Sequence, residues 1–356
     1  MTESQTRTRT EAGFKVLVFS RTTPSGYRHA SIEAGIRGIK RLAEDVSRQS
    51  ASVQDKLAAF TVDATEDASV FDSATGLEQY KVIVLLSNSG DDCLDEGQLL
   101  NFRKWVEAGG AVVGVHCASF CCIGPGPGHE WYGDLLGGVF ADHPVPQDGL
   151  VKAVAEGILG LEGPKGLTGD FVDGHVKGRV ETEKKDAPSH PIHIYGEIGM
   201  EYLLEAGWGT SSSSGDLGQK KCHGDEGAIL ESERRNAKHV ADKEDDDQGS
   251  RRKDLEVGTS LRWHDEWYNF VSHPRDKLLS SYKDGTTGNF TILLTVEEST
   301  YSGGKHGKDH PVAWCQEFRT GGRCFYTALG HFDEAYGDPW FMGHLLGGIY
   351  WAAKVI

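Results

Sequence analysis

Short apolar, β-branched runs alternate along this chain with stretches whose apolar residues recur every three to four positions. KVLVFS (15–20) reads as a buried strand. After the loop RTTPSGYRH, the spacing predicts a helix with Ile32, Ile36, Ile39 and Leu42 on one face and Ser31 placed to cap it. AAFTVD (58–63) and KVIVLLS (81–87) are further strands; the first leads into the turn Thr65, Glu66, Asp67 and the second ends at Asn88. Residues 96–108 carry Leu99, Leu100, Phe102 and Val106 in helical spacing and stop at Gly109 and Gly110, which suit a left-handed cap. AVVGVHCA (111–118) then reads as a strand buried on both faces. Strands alternating with helices in this way predict right-handed crossovers and a parallel, doubly wound α/β sheet.

The pattern weakens after residue 118. The stretch CCIGPGPGHEWYGDLLGGVFADHP is rich in glycine and proline and reads as a loop beyond the strand end. From about 148 to 258, charged and Ser-rich segments with little hydrophobic period predict a partly disordered insertion, although IHIYGEIGMEYLLE (192–205) has the makings of a strand and short helix packed on the sheet. Order resumes with LRWHDEWYNF (261–270), followed by strands at 290–296, 311–318 and 322–330, the last two a hairpin turning at 319–322. Asp338 caps a final helix with Pro339 in its first turn and Phe341, Leu345, Ile349 and Ala352 as its core stripe. Residues 1–13, polar and aperiodic, read as a disordered tail, leaving 14–356 as one domain.

Composition narrows the function classes. The chain has 356 residues, enough for a large core, and a formal net charge of −16, which argues against nucleic-acid and anionic-membrane partners because both are bound through Lys and Arg clusters. No run approaches the roughly 20 apolar residues of a membrane span, and the N-terminus lacks a secretory apolar region, so a cytoplasmic location is expected. The seven cysteines lack paired CxxC spacing and read as mostly reduced thiols, three of them (Cys117, Cys121, Cys122) clustered after the buried strand.

Candidate chemistry gathers at strand ends. His116 stands where the 111–118 strand stops, the position at which parallel α/β sheets place reactive groups. Arg28 and His29 lie at the carboxyl edge of the first strand, ahead of a helix N-terminus. Trp131, Tyr132 and His143 sit in the Gly/Pro-rich loop, where aromatic faces beside polar groups suit a sugar. His264, Asp265 and Glu266 stand between aromatics; a carboxylate in such surroundings is expected to have its pKa raised toward the range of a general acid or base.

In chain order, KVLVFS, YRHASI, the TED turn, AGGAVVGVHCA, WYGDLLGGVFADHP, WHDEWYNF, HPVAW and GRCFYTALGH resemble the trehalose-utilisation (ThuA-like) family over nearly the whole chain except the tail and residues 150–258. The resemblance implies a class I glutamine amidotransferase-like, flavodoxin-like three-layer sandwich and action on disaccharides or their keto derivatives. Amidotransferases place a cysteine nucleophile in a GxCxG elbow. Here the elbow reads Gly114, Val115, His116, Cys117, Ala118, with histidine at the nucleophile position, so a thioester glutaminase mechanism is not expected.

Three readings stay open. In the first, His116, Glu266 and His331, with Asp265 beside them, form an acid/base cluster, and Arg28, His29, Trp131, Tyr132, His143 and Tyr268 orient a carbohydrate. In the second, a divalent metal such as zinc is held by some of His29, His116, His143, His264, Glu266 and His331. In the third, the protein binds or senses sugar without turning it over. The expected partner is a small carbohydrate, with a second copy of the chain as a candidate in a homodimer.

Overall fold

The computed structural model describes residues 13–48, 58–154 and 260–356, together with His190, Leu203, Ala206 and Trp208. The chain opens with β1 (Phe14–Phe19), whose last four residues are buried, and α1 (Ile32–Ser47), which turns Ile32, Ile39, Leu42 and Val46 inward. Ser31 stands at the start of α1 as expected but does not cap it; its hydroxyl donates instead to Gly330 O at 3.4 Å. β2 (Phe60–Thr65) and β3 (Val82–Leu86) flank β1, and both run parallel to it.

A two-residue strand, β4 (Ser89–Gly90), precedes α2 (Glu96–Glu107), whose first turn is closed by a reciprocal Asp95–Gln98 capping box. Gly109, at φ +101°, then reverses the chain into β5 (Ala111–Val115), in which every residue is buried. β5 is shorter than predicted because the backbone leaves the sheet at His116, φ +53°. Past the short β6 (Phe120–Cys121), the stretch read as loop contains a ten-residue helix, α3 (Pro127–Leu136), with Pro127 in its first turn and Gly137 closing it at φ +74°. β7 (Phe140–Asp142), β8 (Gln147–Ala153), β9 (Ser260–Asp265), β10 (Asn269–Phe270) and α4 (Pro274–Asp284) follow. The chain closes with β11 (Thr287–Glu297), β12 (Pro311–Phe318), β13 (Arg323–Thr327) and α5 (Pro339–Ala352).

Nine strands form one sheet in the order β2-β1-β3-β5-β13-β12-β11-β8-β9. The first five are mutually parallel, as the strand–helix alternation predicts, and the remaining four extend the sheet as an antiparallel meander. α1 packs with α5, and α2 packs with α3. β5 lies in the middle, register-matched to β3 (Leu86 beside Val115) and to β13 (Thr327 beside Val115), so three strand ends converge where His116 leaves the sheet.

Most of the predicted insertion and the 1–12 tail lie outside the described residues. Among the described residues of the insertion, Leu203 is fully buried, Trp208 donates from its indole to Asp45 of α1 at 2.8 Å beneath the Arg41 guanidinium, and His190 lies against Cys315 and the Trp351 ring. Among the described residues, no helix is long and apolar enough to cross a membrane.

Candidate histidine–carboxylate site

His116 is fully buried in a left-handed backbone conformation that a non-glycine residue adopts only at a cost of about 1–3 kcal/mol. Its neighbours hold it there: Tyr326 donates to its carbonyl at 2.9 Å, and its Nδ1 lies 2.8 Å from Ala328 O. A carbonyl only accepts, so Nδ1 carries the proton and Nε2 presents a lone pair. Tyr268 donates its hydroxyl to that Nε2 at 2.8 Å, and burial keeps the Tyr268 phenol protonated by raising its pKa.

Three distant segments meet at the same point. His331 Nδ1 is 3.3 Å from His116 Nε2, Glu266 Oε2 is 3.5 Å from His116 Nε2 and 3.1 Å from His331 Nδ1, and the His29 ring packs edge-on against His116 at 4.7 Å between centroids. One ligand-capable atom from each of His29, His116, Glu266 and His331 falls within 4.8 Å of all the others. His143, on the segment after α3, approaches from the more open side with Nε2 3.5 Å from Glu266 Oε1, and its Nδ1 donates to Pro144 O. As neutral rings, His116 and His143 both aim a lone pair at one carboxylate, an arrangement that calls for a proton or a cation between them.

The electrostatics follow from these contacts. Burial would raise the Glu266 carboxyl, but hydrogen bonds and charge from His116 and His331 when these imidazoles are protonated outweigh it and hold the group well below the usual carboxylate range. The raised pKa expected from the flanking aromatics is thus corrected: Trp267 and Tyr268 bury Glu266, but histidines from other segments set the sign. His29 is pushed down to about 2, first by burial and then by the neighbouring His116 and His331, so it stays a neutral imidazole. Burial pushes the Cys117 thiol up to about 12, which leaves it a thiol rather than a nucleophilic thiolate.

Other sequence candidates lie elsewhere. The Asp265 carboxylate is saturated by the Trp263 indole and the backbone N–H groups of Glu266, Gly330 and His331, at 2.9–3.1 Å. It positions the His331 turn and has no capacity left for proton transfer. His264 projects from the outer side of edge strand β9 to Asp148 at 2.7 Å, because alternate residues of a strand face opposite ways. Arg28 is held by Glu66 of the TED turn at 2.7 Å and by Glu33 at 3.5 Å. Trp131 packs edge-on against Phe102, and buried Tyr132 donates to Ala118 O, so both anchor α3.

The donor set suits a divalent ion. His116 shows the expected arrangement, its far ring nitrogen bound to a carbonyl and its near lone pair turned inward. The separations among His116, Glu266 and His331, 3.1–3.5 Å, are close to the edge, about 3.4 Å, of a tetrahedron of ligands around a zinc-type ion, and His29 brings a ligand atom within 4.8 Å of the other three.

Fold and site together define an α/β protein with a large central sheet, its parallel half consistent with a flavodoxin-like class, whose β5 end carries a histidine in a histidine–carboxylate cluster. A family model described as trehalose utilisation (ThuA) matches residues 15–193 and 226–352, and the chain belongs to that family. Among solved structures, a ThuA-like protein from Bacteroides uniformis is 18% identical, with 96% of this chain and 92% of that one covered at a TM-score of 0.49. Another, from Parabacteroides merdae, is 14% identical, with 97% and 91% covered at a TM-score of 0.48. No curated protein matches the chain significantly.

Proposed function

We propose that this protein is an enzyme that acts on a trehalose-type disaccharide or keto-sugar by histidine/carboxylate proton transfer, assisted by a divalent metal held by His29, His116, Glu266 and His331. The observation that carries this reading is the convergence of the carbonyl-anchored His116 Nε2 with Glu266 Oε2 and His331 Nδ1 at 3.1–3.5 Å. A bound ion that keeps a position open beyond these residues, by five-coordination or with only three of them bound, would polarise a sugar hydroxyl or carbonyl oxygen.

The chain's own groups divide the remaining work. Glu266 stays ionised and pairs with whichever imidazole takes up a proton. His143 is the most exposed member, and with Nδ1 committed to Pro144 O, its Nε2 is the nitrogen free to take a proton from a sugar hydroxyl while Glu266 stabilises the imidazolium. Tyr268 holds the His116 ring in its tautomer. The buried Cys117 thiol supports a mechanism that does not use a thioester, and family membership supports the carbohydrate substrate class.

Glu266→Gln tests the reading with trehalose and its keto derivative as substrates. Turnover should fall about 10²–10⁴-fold while sugar affinity stays within a few-fold of wild type. Sugar binding without turnover in wild type, unchanged in Glu266→Gln, would instead identify a binding or sensor protein.

A further inference from the structure

Among the described residues, buried side-chain polar atoms without a hydrogen-bond partner are most numerous on the residues that follow β1 and β3. They are Ser20 Oγ, Arg21 Nε, Thr22 Oγ1, Ser87 Oγ and both amide atoms of Asn88, and the loop after β1 adds His29 Nδ1. Ser20 and Asn88 have no exposed surface. Native proteins pair buried polar groups with protein, water or ligand, and six residues left over on these segments require an explanation.

Their position supplies one. From β1 the chain crosses outward to β2, then returns to β3 on the other side of β1. β1 and β3 thus flank the point where the crossovers diverge, and in open α/β sheets that point forms a ligand-binding crevice at the strand carboxyl ends. Ser20 to Thr22 follow β1, and Asn88 follows β3. The local backbone is already committed, with Ser20 N bonded to Thr65 O, Ser89 N to Arg21 O and Thr23 N to Ser89 O, so the side chains rather than the main chain are left unpaired. Arg21 and Thr22 are only partly buried, unlike Ser20 and Asn88. The same β1 loop continues to His29, which touches His116.

We infer that Ser20, Thr22 and Asn88 form a subsite for the hydroxyl groups of a neutral sugar, beside the catalytic cluster; this rests on the carbohydrate reading above. A sugar hydroxyl both donates and accepts, and the Asn88 amide offers one acceptor and one donor side by side, whichever way the amide is turned. The Ser20 and Thr22 hydroxyls rotate to either role, and Arg21 Nε adds a donor. Water is the competing occupant, since it satisfies the same atoms.

Calorimetric titration of trehalose into wild type, Asn88→Leu and Ser20→Ala, with melting temperature and bound metal measured on the same samples, decides between them. The subsite predicts that Asn88→Leu weakens trehalose binding about 10–50-fold and Ser20→Ala several-fold, with metal content unchanged. Ser20→Ala keeps the test valid if the leucine variant does not fold. Affinity within twofold of wild type in both variants, or no trehalose binding by wild type, overturns the subsite. Metal content reads the catalytic cluster separately, so loss of metal in wild type would count against the proposed function and not against this subsite.

Discussion

Tyr268 joins two histidine clusters that use the same side chain for opposite purposes. Its hydroxyl donates to His116, within the group formed by His29, His331, Glu266 and His143, while its carbonyl accepts from His310 Nε2 at 2.8 Å in a second group with His273 and His306. In the second group the ring nitrogens point to local partners: His306 Nε2 accepts from Phe270 N, His273 bridges Arg275 N and Asp309 O, and His310 Nδ1 lies within 2.9 Å of Glu298 and Tyr301. In the first group they converge on one another and on one carboxylate. The number of histidines is similar; the direction of their lone pairs makes one a candidate site and the other a brace.

Four substitutions probe that contrast. His310→Ala, on the brace, should cost about 3 kcal/mol in urea unfolding, because it strips Tyr268 O of its donor and leaves the partly buried Glu298 with only the His306 N–H. Metal binding should survive in the fraction that folds.

His306 tests the brace by pH. Burial, followed by the charges of His310 and His273, pushes its pKa down to about 4 from 6.5. Between those values the unfolded chain binds the proton and the folded one does not, so acid favours unfolding across that window. His29 and His310 are depressed in the same direction. Melting temperature should therefore fall as pH drops below about 6.5. His306→Gln should make the fall shallower down to about pH 4, and an unchanged slope would remove His306 from the account.

Tyr268→Phe removes one buried hydrogen bond and should destabilise by about 1 kcal/mol. It should also bind metal at least as tightly as wild type, because the hydroxyl that covers His116 Nε2 is gone; weaker binding would make Tyr268 part of the ligand set. His264→Ala, on the solvent side of the edge strand, should change stability by less than about 0.5 kcal/mol and leave metal binding unaltered.

The parallel half of the sheet was legible in the sequence because β1, β3 and β5 are continuous apolar runs, and a strand buried on both faces leaves that mark. α3 was hidden by its glycines and prolines, although Pro127 at its start and Gly137 at its end are the signals of a helix's first turn and cap. At the site, His116, Glu266 and His331 were identifiable from their places beyond strand ends. The sign of the Glu266 shift was not, since it depends on imidazoles 150 and 65 residues away in the chain. A period-two reading of LRWHD, with Trp263 and Asp265 inward, would have separated Asp265 from the outward His264. His310 stood in the quoted HPVAW motif, but its bond to Tyr268 O is a tertiary contact that no local pattern encodes.

Elemental analysis of untagged protein purified without chelator, run in parallel on His116→Ala and His306→Gln, tests the central claim most directly. The account predicts close to one divalent ion per chain in wild type and His306→Gln and less than about a tenth of that in His116→Ala. Metal absent from all three, or retained in His116→Ala, would contradict it.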